Sequence, residues 1–239
     1  MKPLEDFSDE RLKLHCIHCG AYLAACEANE DHVPSKCLLD RPLPGNPPKV
    51  TVCAKCNTDF APHEEYTGVF LAAVLSGDAM PDPGRFPKPA RAVRRNPRLH
   101  TRIARAKQVQ GTLFGEPEIL WAPEIEPVEC VIVKNARGHL LHELGEAPTA
   151  PPKSVWFYPA VRFSPAQRDA FEDVAYGPLL PEVGSRLLQR VIGIEPLKDG
   201  WIEVQPDVYR YAVMDHGDAV TVRTLIRSYL ATEVTWALD

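Results

Sequence analysis

Two C-x2-C pairs, Cys16/Cys19 and Cys53/Cys56, constrain this 239-residue chain more than any other feature. Paired thiols at knuckle spacing, two pairs far apart in sequence, are the ligand pattern of a structural zinc site. Six of the seven cysteines lie in the first 56 residues. The start of the chain carries Glu5, Asp6, Asp9 and Glu10 where a secretory leader needs a basic and then an apolar stretch. Paired spacing in such a chain reads as metal rather than disulfides, and the expected compartment is cytoplasmic. A short cysteine-rich module has a thin core, and four thiolates on one Zn2+ turn binding energy into folding energy. Cys26, Cys37, His15, His18 and His63 are competing ligands; Cys16, Cys19, Cys53 and Cys56 are preferred because both pairs have knuckle spacing. Such a closed tetrahedral site does no chemistry itself.

Composition sets outer bounds. With 45% hydrophobic residues the chain can bury a normal core, and 24 prolines imply many loops and short elements. No apolar run, Val69–Leu75 being among the longest, reaches the length of a membrane span, so no membrane partner is expected. The net charge of −5 is unevenly spread: residues 85–110 hold nine basic side chains and no acidic one. Basic residues concentrated in an otherwise acidic chain point to phosphate contact, with Arg94, Arg95, Arg98, Arg102 and Arg105 as candidates. The bland alternative is a solvated linker folded against acidic neighbours.

Three parts follow from these patterns: a cysteine/histidine-rich module over 1–80, a basic Pro/Arg-rich connector over 81–118 and an α+β domain over 119–239. Cys16–Gly20 reads as a tight turn, Asp31–Pro34 as extended, 43–48 as a loop and Val50–Val52 as a strand. Apolar residues at Tyr66, Val69, Phe70, Ala73 and Val74 predict a helix from His63 to Ser76, stopped by Gly77. Asn96-Pro97 reads as an N-cap with Pro at the first helical position. Further on, helices are expected at 126–144, from Ser164-Pro165 and at 181–191. Strands are expected at 155–162, 201–204, 208–214 and 220–226, with a turn at Asp215-His216-Gly217-Asp218. This last domain carries no chemical motif. His139 and His142 are three apart on a helix, but read more simply as ordinary core or surface histidines.

Between the knuckles lie Asp31-His32, and Asn57 follows the last cysteine. Alone, Asp-His is an ordinary polar pair. In this setting, Cys16-x2-Cys19, Asp31-His32-Val33-Pro34 and Cys53-x2-Cys56-Asn57 together resemble the HNH endonucleases in their four-cysteine form. The stretch from Asp31 to Glu64-Glu65-Tyr66 looks like a group of uncharacterised bacterial HNH-type proteins. The resemblance covers residues 14–76. It implies a small zinc-stapled ββα-metal, treble-clef-like module followed by a separate α+β domain. It also implies a metal-dependent endonuclease acting on DNA. His32 would be the general base, Asp31 and Asn57 ligands of a catalytic Mg2+ or Mn2+, and Asn46 a loop-fixing residue. These residue types suit the chemistry, since histidine titrates near neutrality and hard oxygen ligands suit Mg2+.

The sequence departs from the family pattern in three places. Asn57 stands where the last histidine is common, Ser35-Lys36-Cys37 replaces the frequent Gly-Gly, and Pro47-Pro48 follows Asn46. The alternative reading is a non-catalytic, zinc-dependent nucleic-acid-binding or protein-interaction module. Residues 119–239 are then candidates for a homodimer or protein-partner surface.

Overall fold

The computed structural model describes residues 4–5, 7, 9–45, 47–110, 118–174 and 181–238, and mixes helix and sheet. Its contacts divide the chain into two compact units, Met1–Asp59 with Ile132–Asp239, and Phe60–Val131. These boundaries differ from the three segments drawn from composition, because one long helix ties the cysteine-rich region to the end of the chain.

In the first unit, a short antiparallel hairpin pairs β1 (Ala28–His32) with β2 (Lys49–Cys53). Ala54 N–H donates to Glu27 O at 2.8 Å, so the ladder runs directly into α1 (Ala54–Ser76). Helix α1 therefore begins nine residues before the expected His63, since the second knuckle is its first turn, and it continues past Pro62. The second unit receives the rest of α1, with α2 (Pro87–Arg95), α3 (Pro97–Ala106) and a hairpin of β3 (Lys107–Gln110) and β4 (Glu118–Trp121). Tyr66, Val69, Phe70 and Ala73 are buried as their periodicity predicts. Asn96 caps α3 through Leu99 N–H at 3.1 Å, and Gly77, at φ +69°, closes α1. Pro87 opens α2 where a missing N–H costs nothing, which is why a proline-rich stretch is helical here.

Helix α4 (Ile125–Leu144) is the spine of the first unit from residue 132 onward. One face, at Lys134, Gly138 and Leu141, meets the cysteine-rich hairpin. Another, at His139 and Glu143, meets a five-stranded antiparallel sheet. Its order is β5 (Ser154–Pro159), β9 (Leu230–Ala237), β8 (Ala219–Ile226), β7 (Tyr209–Asp215) and β6 (Ile202–Gln205). Strand β9, although it alternates, is absent from the sequence-based reading. The strand predicted over 155–162 ends at Pro159, and a 3-10 turn follows. Helix α5 (Pro165–Glu172) has a full capping box from Ser164 and Gln167 and covers the sheet's other face with Phe171. The helix expected over 181–191 shortens to α6 (Arg186–Val191), because Ser185 is its N-cap.

On the sheet-facing side of α4 the polar groups find partners, except for the buried His139 Nδ1, which has no hydrogen-bond partner among the described residues. His139 stacks on Tyr211, with ring centroids 3.7 Å apart, and its Nε2 lies 2.9 Å from the Tyr209 hydroxyl. Glu143 takes the Arg190 guanidinium at 2.8 and 3.2 Å and the Tyr211 hydroxyl at 2.5 Å. On the hairpin side, backbones approach closely. A Cβ at Gly138 would sit 2.5 and 2.9 Å from the two γ-methyls of Val33. Gly138→Ala is therefore expected to cost about 1–3 kcal/mol through overpacking. Denaturant midpoints of Gly138→Ala with and without Val33→Ala test this, since trimming Val33 removes the clash and should recover much of the loss.

Candidate metal centre

The two knuckles are built by local backbone geometry. Gly20 donates its N–H to Cys16 O at 2.8 Å and adopts φ +73°, a conformation glycine takes without a Cβ penalty. Cys53 ends β2, and Cys56 lies in the first turn of α1 with its N–H 3.4 Å from Cys53 Sγ. That N–H, more than any other contact, holds the Cys53 thiol down to about 7. Cys56 moves the other way, mainly through burial.

All four sulfurs lie within 4.8 Å of one another, with Cys19 Sγ and Cys53 Sγ 3.7 Å apart. Tetrahedral zinc at about 2.3 Å from each thiolate sets sulfurs about 3.8 Å apart. The donor set, its spacing and its closure therefore fit a structural Zn2+. Cys16, Cys19, Cys53 and Cys56 are the one such group of histidine, cysteine or acidic ligands among the described residues. Cys26 and Cys37 stand outside it. His15 packs on Tyr22 instead, and burial, followed by Arg137 and Lys134, depresses the His18 pKa to about 3.

The nuclease candidates fall on both faces of the hairpin. Opposed residues in the β1–β2 register share a face: Asn29 and Asp31 lie with Val52 and Val50, Glu30 and His32 with Thr51 and Lys49. Asp31 is 8% exposed and faces inward. The Lys134 ammonium lies 3.0 Å from its Oδ1 and 2.9 Å from its Oδ2. Lys134 also donates to Ser35 Oγ at 3.1 Å, and Ser35 N–H to Asn135 Oδ1 at 2.7 Å. His32 is half-buried on the outer face, where burial, then Lys36 and Lys49, push its pKa down against Asp31 and Glu30. Asn57 sits in the second turn's approach of α1 and donates its amide to Asn29 Oδ1 at 2.9 Å, tying helix to strand. Asn46 lies outside the described residues. His63 is exposed.

In the second unit, Arg91, Arg94, Arg95, Arg98 and Arg105 are exposed. Arg102 is committed elsewhere: it forks onto Glu124 at 2.8 and 2.6 Å and stacks 4.5 Å above the Tyr66 ring. The Lys134–Ser35–Asn135 network is the part of the site that sequence reasoning missed. Its signal is a lysine and an asparagine inside the apolar helical run Val131–Leu141. No protein-family model, curated protein or solved structure matches the chain.

Proposed function

We propose that the chain is an HNH-type endonuclease, a hydrolase of nucleic-acid phosphodiesters, with DNA as its substrate and His32 as its general base. Its scaffold in this reading is a treble-clef-like ββα module stapled by zinc. The observation that carries it is the succession of knuckle, β1, β2 and α1, with an imidazole held neutral on the hairpin's outer face. Neutral His32 accepts the proton of the attacking water, and Lys36 brings positive charge toward the scissile phosphate, while the Lys49 ammonium is paired with Glu30 at 2.6 Å. Exposed Arg94, Arg95, Arg98 and Arg105 offer salt-sensitive phosphate contacts that carry no base information.

Mg2+ or Mn2+ held by Asp31 and Asn57 is the cation that the resemblance implies. As it stands, Asp31 does not fit that role, because both its oxygens lie against the Lys134 ammonium. The same pair favours a second reading, a zinc-stapled nucleic-acid-binding module that does not cleave.

Cleavage of a duplex oligonucleotide, followed against pH, separates the two. Under the first reading His32→Ala lowers the rate about 10²–10⁴-fold, with zinc content and melting temperature unchanged. The wild-type rate is lost as pH falls and His32 takes a proton. Because the His32 pKa is depressed, that rising limb lies below the ordinary histidine value of 6.5. A wild type that binds the duplex without cutting it, and binds more weakly as Arg98→Ala, supports the second reading.

A further inference from the structure

Strand β5 is one edge of the five-stranded sheet, and it lacks the protection that the other edge has. At that other edge β6 is four residues long, and its register with β7 shifts between Glu203 and Gln205. Glu203 pairs with Lys198 at 2.6 Å, and Pro206 follows the strand. Shortness, irregular register, charge and proline each keep a strand edge from pairing with another chain. Strand β5 has six residues in unbroken register with β9. From Ser154 to Val161 no side chain is charged. None of the β5 residues is buried, and Tyr158 and Val161 are 42% and 66% exposed.

The hydrogen bonds at the sheet's ends show which backbone groups of β5 are open. Ala160 N–H donates to Tyr229 O at 2.6 Å, one step beyond the Pro159–Leu230 pair. Bonded pairs recur at every second residue of an antiparallel ladder. Tyr158 and Trp156 therefore turn their N–H and C=O groups to β9, whereas Val155 and Phe157 turn theirs outward. Leu238 N–H donates to Asp218 O at 2.9 Å, which in the same way turns Trp236, Val234 and Thr232 to β8 and leaves Glu233 and Ala231 for β5. Among the described residues β5 pairs with β9 alone, so the outward groups of Val155 and Phe157 have no strand beside them.

We propose that β5 pairs antiparallel with β5 of a second copy of this chain, across a two-fold axis at Trp156, so that two five-stranded sheets become one. In this register Val155 faces the partner's Phe157, and Phe157 the partner's Val155. Each outward N–H then meets an outward C=O, and every open group of both residues is satisfied. Shifting the axis to Phe157 would set Val155 against the partner's Pro159, which has no N–H to give. The occupant is a second copy because the strand is complementary to itself, and because joining two uncharged edges opposes no like charges. Ser154, Trp156 and Tyr158 share the face on which Trp156 meets Phe171 of α5. The partner's Ser154 would lie opposite Tyr158 and cover its exposed ring. This pairing rests on the sheet alone and stands apart from any activity of the cysteine-rich hairpin.

The test is the mass of the full chain in solution against concentration, by sedimentation velocity or light scattering. The expected result is a reversible shift from one chain to two. Val155→Pro removes an outward N–H and leaves the β9 ladder intact, so it deletes half of the hydrogen bonds between the copies. The midpoint of the shift should rise about tenfold or more. Ser154→Cys combined with Tyr158→Cys sets cysteines opposite each other across the axis. Within one strand the two lie about 13 Å apart, too far to bridge. Mild oxidation should therefore give a covalent dimer that neither single variant gives. A wild type that stays one chain at every concentration overturns the proposal, and so does a dimer that Val155→Pro leaves unchanged. A double variant that cross-links no better than its single variants overturns it as well, and decides alone if Val155→Pro fails to fold.

Discussion

Cys53→Ser, or removal of metal by a strong chelator, is expected to abolish the cooperative melting of the cysteine-rich region, the largest effect predicted for this chain. The region's sheet is the two-stranded β1–β2 pair, and an isolated hairpin is at best marginally stable in water. Structural zinc supplies apparent binding energies of about 10–16 kcal/mol in small zinc peptides at neutral pH. That is as large as the whole stability of a typical domain, about 5–15 kcal/mol. Few buried apolar groups replace it: Ile17, Val33, Val50, Val52 and Leu141 form the local cluster. Metal analysis should find one zinc per wild-type chain, none in Cys53→Ser, and the wild-type amount in Cys26→Ser and Cys37→Ser. A Cys53→Ser chain that melts like wild type would mean the four thiols are merely neighbours in space.

Lys134→Met is expected to be the most damaging change outside the cysteines. It leaves the Asp31 carboxylate inside the protein without the cation that now faces both its oxygens. Breaking a buried pair by removing one member costs about 3–5 kcal/mol, whereas replacing both members with apolar groups is often neutral. Asp31→Leu combined with Lys134→Met should therefore regain most of the loss, as read from denaturant midpoints. The single variant also reports on catalysis. With the ammonium gone, the Asp31 carboxylate loses the cation that faces both its oxygens, a place Mg2+ can take, so added Mg2+ should raise the melting temperature of Lys134→Met more than that of wild type. A loss below about 1 kcal/mol in Lys134→Met would show that the pair is solvated and does not set the state of Asp31.

Local chemistry was readable in the residues. The knuckle turns, the extended Asp31-His32, the Asn96 cap, the Ser164 start of α5 and the turn at Asp215 to Asp218 each follow from side chains acting on their own backbone. The four-cysteine cluster was readable for the same reason, because two residues of spacing fix each pair. What the residues did not announce depends on partners remote in sequence. The Asp31–Lys134 pair spans 103 positions, and the fate of Asp31 as ligand or ion-pair partner turns on it. Arg102 looked like part of a phosphate-binding stripe until Glu124 and Tyr66 took it. Strand β9 is defined by pairing with both β5 and β8 more than by its own threonine-rich pattern. The apolar periodicity begins only at Tyr66, so the early turns of α1, anchored by the second knuckle and running through Pro62, left no such signal.

Conversion of supercoiled plasmid to nicked or linear DNA by the zinc-loaded full chain, with Mg2+ or Mn2+ added, tests the proposed activity most directly. The expected result is cleavage by wild type and none by His32→Ala at equal zinc content. Intact plasmid after incubation with folded, zinc-loaded wild type and either cation would contradict it.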